Sequence, residues 1–386
     1  MKRKRGFKSV LAVALTLALT LSLAGCGSSD NGTASGSGTQ ASPSVGTVYT
    51  IGFNTWGSGT STFDNMGDDI AYALEVLGME GSRVADDFTA DKELQNMQNF
   101  ISAGVDGIVM QISADPVLTQ AADACLNAKI PFVLGIFVGD DEDRAEVSAN
   151  NEYYVGSVSA NLYQDGYLMG QAAAADGHKT AVLLGGNVGD NHFEQRIAGF
   201  TQAFVTEGGG KILDEARCAS PAEGQEKANA MLSANRDADC IYAMVGDYAP
   251  GAINAMDALG LEMDVYVSNA GEDAVNYIKE GRVAAGGGGN DLPGPLAAAL
   301  LINYLDGTPI LDADGNAPEF KITPFVVTKD NVDDYISIFY EDTHPIDQDI
   351  MESLVSRYTE GVSYETFEKL IESGLTLEAL LAAHGS

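Results

Sequence analysis

The sequence predicts an α/β protein of two doubly wound, Rossmann-like parallel-sheet lobes followed by a C-terminal helical extension. Three observations predict it. Short apolar runs alternate with helical stretches, the pattern of a parallel sheet covered on both faces. That alternation restarts near residue 150. The 386 residues, 45% apolar and 20% charged, suggest two cores and exclude a disordered or collagen-like chain.

The chain opens with an export signal, residues 1–25. Lys2, Arg3, Lys4, Arg5 and Lys8 form a basic start, and Val10–Leu21 is an apolar run too short for a comfortable membrane span. Leu23-Ala24-Gly25-Cys26 resembles the bacterial lipobox, which makes Cys26 the expected lipidation site. Residues 26–47, rich in Gly, Ser and Thr, read as a flexible tether. The formal net charge is −34, and beyond residue 25 there are 16 basic against 55 acidic residues. Such a chain repels nucleic acid and anionic lipid.

In the first half, Val48–Asn54 is a strand. Phe63, Met66, Ile70, Leu74 and Leu77 follow helical spacing. Arg83–Asp86 is a strand, Asp91–Ser102 a helix, Gly107–Gln111 a strand, Asp115–Asn127 a helix and Pro131–Phe137 a strand. The acidic run Asp140–Asp143 reads as a solvated loop. In the second half, Tyr154–Ala175 reads as one helix. Strand Thr180–Gly185, helix Phe193–Glu207, strand Lys211–Glu215 and helix Ala222–Asn235 follow. Then come strand Cys240–Val245, helix Pro250–Leu259, strand Val265–Ser268, helix Asp273–Glu280 and strand Arg282–Ala285. Pro293–Leu305 is a helix, and Phe320–Val327 is a strand pair broken at Pro324. Asp330–Ser386 is an acidic helical appendage, with Ser363 capping one helix and Leu375–Ala383 forming another.

Cys125, Cys218 and Cys240 are odd in number, which argues against a disulfide framework. The ends carrying Cys218 and Cys240 fall on opposite edges of the proposed sheet, so no bond joins them. Asp312-x-Asp314-x-Asn316 lacks the later ligands of a calcium loop and reads as a turn. No metal site and no cofactor is expected. No Gly-x-Ser-x-Gly or Gly-x-x-x-x-Gly-Lys motif occurs, and His192 beside Asp190 has no nucleophile elbow, so the chain reads as a non-enzyme.

Five stretches carry a family resemblance by their order and spacing: Asp91-Lys92-Glu93-Leu94 with Gln98; Gly104-Val105-Asp106-Gly107-Ile108; Ile130-Pro131-Phe132-Val133; Arg196-Ile197-Ala198-Gly199-Phe200; and Gly251-Ala252. Over Val48–Lys329 the chain resembles the type I periplasmic binding proteins, specifically the ribose/galactose-type receptors of ABC importers. The resemblance implies a three-segment hinge, with crossings near Ala149–Asn151, Gly289–Asp291 and Thr323–Phe325. The lobes would be residues 48–150 plus 291–323 and 151–290 plus 324–330, with 331–386 as the extension. It implies a monomer, lipid-anchored outside the bacterial cell membrane, that closes on a sugar or sugar-like ligand and delivers it to an ABC permease. The alternative is a sensor of a nucleoside or signalling molecule, feeding a membrane kinase or chemoreceptor.

Sugar sites combine aromatic faces with planar polar groups. Trp56, the only tryptophan, follows the first strand, and Phe63 begins the next helix. Gln111 ends its strand. The resemblance points Arg196 into the cleft, with Asp190 and His192 in the loop before it. Asp247 and Tyr248 follow strand Cys240–Val245, and Asn269 ends the next one. Asn290 and Asp291 occupy a crossing. Relatives that bind simple hexoses or ribose often carry Asp-Arg where this chain has Ile136-Phe137; Phe137 can still stack, and the change permits a less polar ligand. Gly286–Gly289 reads either as a strand end lining the cleft or as a tight crossover without ligand contact.

Overall fold

A computed structural model describes residues 46–385 except 88, 114, 219 and 342. The export signal, nearly all of the tether and Cys26 lie outside the described residues. Two six-stranded sheets form the two lobes. The first holds β1 (Thr50–Thr55), β2 (Glu80–Ala85), β3 (Gly107–Met110), β4 (Phe132–Ile136), β5 (Tyr154–Ala160) and β11 (Glu319–Ile322), in the order β11-β5-β4-β3-β1-β2. The second holds β6 (Thr180–Leu184), β7 (Lys211–Ala216), β8 (Cys240–Ala243), β9 (Asp264–Val267), β10 (Ala285–Gly288) and β12 (Phe325–Thr328), in the order β12-β10-β9-β8-β6-β7. The two orders are equivalent. Each reverses beside its first strand, the position where open α/β sheets bind ligands. All pairings are parallel except β10 with β12.

Four readings of the sequence are corrected. Tyr154–Ala160 is a strand with every residue buried, and the helix begins only at α5 (Leu162–Ala175), capped by Asn161. Because β5 pairs with β4 in the first sheet, the first crossing lies at Asn161 and not at Ala149–Asn151. The acidic run is no loop. It opens helix α4 (Asp141–Asn150), whose N-cap Asp140 accepts from Asp143 N at 2.8 Å, and carboxylates suit the positive end of a helix. The strand placed at Arg282–Ala285 is instead β10, built of Ala-Gly-Gly-Gly. β11 and β12 belong to different sheets, which makes the segment at Pro324 another crossing.

The helices of the first lobe are α1 (Ser61–Val76), α2 (Ala90–Ala103), α3 (Asp115–Ala128), α4 and α10 (Pro293–Leu305). In the second they are α5, α6 (Asn191–Phe200, continued by a wider turn to Glu207), α7 (Pro221–Ala234), α8 (Ala249–Leu259) and α9 (Glu272–Glu280). The extension adds α11 (Val332–Phe339), α12 (Gln348–Ser353), α13 (Tyr364–Lys369) and α14 (Leu377–His384). Ser363 and Thr366 form a reciprocal cap at α13.

α10 is buried along Pro293–Asn303, between the first sheet and the extension. Asn303 Nδ2 donates to Leu354 O at 2.8 Å, Arg357 pairs with Asp306, and Met351, Leu354 and Val355 have no exposure. Truncation at Tyr340 would uncover this surface. The expected result is a chain that melts well below the full one or fails to stay soluble, read by circular dichroism; an unchanged melting temperature would show that the extension does not support the lobe. Cys125, Cys218 and Cys240 are free and buried. Among the described residues no helix is long and apolar enough to cross a membrane.

Candidate ligand cleft

Most of the predicted polar and aromatic residues lie on the segments that follow the carboxyl ends of the strands. On the first lobe the anchor is Asn54, at the end of β1. Its Nδ2 donates to Asp86 Oδ2 (2.6 Å) and Gln111 O (2.8 Å), and its Oδ1 accepts from Gln111 N (2.9 Å). One amide thus ties β1, β2 and β3 at the switch in strand order. Gln111 Oε1 accepts from Trp56 N at 3.1 Å, which orients the loop after β1. Gln111 Nε2 is buried without a partner, and an unmet donor in a cleft is a ready contact for a hydroxyl.

Two buried carboxyls lie behind this wall. Asp86 accepts from Asn54 and from Asn96 Nδ2 (2.8 Å); burial raises its pKa to about 6 despite both bonds. Glu93, with no exposure, accepts from Ser113 N at 3.1 Å, two residues beyond Gln111. Burial pushes Glu93 up to about 8, and Asp86 adds to the rise.

Phe137 is aimed by a strained turn. Ile136 has φ 71°, and Phe137 N donates to Gly135 O at 2.9 Å. A β-branched residue with positive φ is an outlier that persists only where its surroundings impose it. The turn brings Phe137 to 4.8 Å from the His192 ring of the other lobe and 6.5 Å from Phe63 (centroid distances). These three rings meet at the interlobe face. A cavity of about 30 Å³ beside them is lined by Ile136, Arg144, Asn161, His192 and Gln195, among others. That is room for water but not for a monosaccharide, so a ligand at this point would need the lobes to part.

On the second lobe, Asp190 caps α6 through His192 N (3.0 Å) and also meets His192 Nδ1 at 3.0 Å. Burial opposes ionisation of Asp190, but the His192 contacts hold its pKa low. Asp247 faces the first lobe, where Thr62 Oγ1 donates to its Oδ1 at 3.3 Å; burial pushes its carboxyl up. Asn269 is buried in the left-handed region (φ 53°) that asparagine tolerates. Asn290 is 3% exposed, and neither of its amide side-chain atoms has a partner. Asp291 is buried beside Tyr335 of α11, whose pKa is raised by burial and then by the Asp291 charge.

One expected contact, Tyr248, is placed elsewhere, and Arg196 is tied by one nitrogen within its own lobe. Arg196 is 3% exposed and its Nε donates to Asp165 Oδ2 at 3.2 Å, so it braces α5 against α6. Asp165 is buried, which raises its pKa even beside Arg196. Tyr248 is turned into the lobe's core, where Oη donates to Cys218 O (3.2 Å) and its ring lies against Gly185 and Gly224.

Asn54, Thr62 and Asp165 were missed by sequence reasoning. Asn54 was readable as a polar residue ending a strand at the switch point; Thr62 and Asp165 gave no local signal. The glycine run has a physical reason. A Cβ on Gly287 would lie 2.0 Å from Asp165 Oδ1, so this strand admits the carboxylate by having no side chain there.

The chain matches the periplasmic binding protein domain over residues 51–309 and belongs to that family. It is 26% identical over 285 residues to a putative rhizopine-binding protein of Rhizobium meliloti, covering 69% of this chain and 85% of that one. Similar solved structures include an ABC transporter periplasmic solute binding protein from Actinobacillus succinogenes with bound D-allose (18% identity, 74% of this chain and 100% of that one, TM-score 0.67). Another is the Caulobacter myo-inositol binding protein bound to myo-inositol (18%, 76% and 97%, 0.64). At these identities the likeness is one of fold, and the fold is the pair of α/β lobes read from the sequence.

Proposed function

We propose that the chain is an exported solute receptor that captures a sugar or sugar-like cyclic polyol between its lobes and delivers it unaltered to an ABC import permease. The observation that carries the reading is the set of unmet amide atoms on Gln111 and Asn290 at the strand ends, with the aromatic faces of Phe63 and Phe137. Amides read hydroxyls, and rings cover the apolar CH face of a sugar. D-allose and myo-inositol in two proteins of the same fold support this ligand class. So does the rhizopine-binding name of the curated relative. The sequence motif at Cys26 supports a lipid anchor on the outer face of the cell membrane, and the acidic surface keeps the receptor from nucleic acid. The folded part acts as a monomer. Closure is a population shift: a ligand touching Phe137 and Asn290 together stabilises the closed form.

Calorimetry against aldoses, pentoses, inositols and nucleosides tests this. A sugar or inositol is expected to bind, and Asn290→Ala or Phe137→Ala to weaken it at least about tenfold, the loss of one good polar or stacking contact. Binding of a nucleoside alone, or equal binding by both variants, would remove the assignment.

A further inference from the structure

The extension grips both lobes. On the second, Tyr335 and Phe339 are each 1% exposed and their rings lie 5.8 and 6.0 Å from Phe325 of β12. Tyr340 Oη donates to Ala270 O at 2.8 Å, beside Asn269 at the cleft. Four residues later the chain is fastened to the first lobe. The His344 ring stacks on Tyr72 of α1 (3.8 Å, 5°), and Nδ1 is 2.7 Å from Asp69 Oδ1. Asp69 lies two turns along the helix from Thr62, which itself reaches Asp247 across the cleft. The ends are held from behind. Tyr358 Oη donates to Leu77 O at 2.8 Å, and His384 Nε2 of α14 lies 3.3 Å from Pro345 O.

We propose that the short link between Tyr340, anchored on the second lobe, and His344, anchored on the first, acts as a strap that limits how far the lobes separate and holds the ligand-free receptor near its closed form. The argument is one of chain length. Four residues span at most about 14 Å between Cα atoms, however the lobes turn. Three crossings form the hinge, and this fourth one lies between Ala270 and α1, at the cleft rim. Wider opening must tear His344 from Asp69 and Tyr72, or Tyr340 from Ala270. The inference rests on the lobes moving, as the proposed function requires, but its test needs no ligand.

Spin labels at Gln120→Cys and Glu226→Cys, exposed sites on different lobes, read the interlobe distance in the full chain carrying Cys26→Ser. Wild type is expected to give one narrow distance without ligand. Six Gly and Ser residues inserted after Glu341 keep both anchors while releasing up to about 20 Å of chain. The insertion should broaden the distribution toward longer distances, with the melting temperature preserved. His344→Ala should shift it the same way, and decides the matter if the insertion does not fold. A broad, open wild-type distribution, or a distance unmoved by both changes, overturns the strap. A chain that opens on insertion yet binds no sugar or inositol would instead overturn the ligand assignment and leave the strap standing.

Discussion

Glu93→Gln is expected to flatten much of the fall in stability between pH 4.5 and pH 8. In the unfolded chain Glu93 titrates at its ordinary 4.5; in the fold, burial and Asp86 hold it near 8. Below pH 4.5 both states keep the proton and the site costs nothing. Between the two values the unfolded state gives the proton up while the folded state keeps it, so stability falls as pH rises. Above 8 both states are ionised and the folded chain carries a buried charge. The full difference is on the order of 5 kcal/mol. Asp86, raised to about 6 by burial, adds a slope of the same sign at lower pH. The variant therefore flattens the curve without levelling it. Glutamine still offers an oxygen to Ser113 N, where Glu93 now accepts at 3.1 Å. Urea unfolding of both proteins from pH 4 to 9 measures the gap. The curves should meet near pH 4.5 and diverge upward, with the variant more stable at pH 8; parallel curves would mean that Glu93 is ionised in the fold. Since Ser113 lies two residues beyond Gln111, ligand affinity should also be less pH-sensitive in the variant.

Where the sequence was legible, local chemistry and topology agreed. Parallel strands end on one side, so Trp56, Gln111, Phe137, His192, Asp247, Asn269 and Asn290 could be placed on the segments that follow those strand ends by counting elements. The strand at Tyr154–Ala160 was misread because Val155, Val158 and Leu162 fit a helical stripe. A strand between two neighbours, buried on both faces, need not alternate. α4 was invisible for the opposite reason. It has little apolar stripe, and its Arg144 is buried by Asp141 and Glu319, the latter 175 residues away. Arg196 shows the limit at the site. Its residue type suits a ligand, but its partner Asp165 stands 31 residues earlier on another helix, and only packing reveals that its Nε is held there. The turn at Ile136 is likewise imposed by tertiary structure: isoleucine does not announce a positive φ.

The same helix pair gives the other large effect. Gly199→Ala is expected to destabilise the second lobe by about 3 kcal/mol or more. α5 and α6 cross backbone on backbone. A Cβ on Gly199 would lie 1.9 Å from Tyr163 O and 2.7 Å from Tyr167 N, and one on Gly166 would lie 2.0 Å from Arg196 O. A clash with a flexible side chain is relieved by a new rotamer; a clash with helix backbone forces the whole helix to shift. Moving α6 away from α5 stretches the 3.2 Å Arg196–Asp165 contact, whose carboxylate has no exposure. Leaving that charge unpaired adds to the steric cost. Asp165 also lies against Gly287 of β10, so the disturbance reaches the strand that leads to Asn290. Urea unfolding should therefore show a much lower midpoint for Gly199→Ala, and the folded fraction should bind ligand more weakly. A midpoint like that of wild type would mean that the helices have slack at their crossing, and that the Arg196–Asp165 pair is not held by close backbone packing.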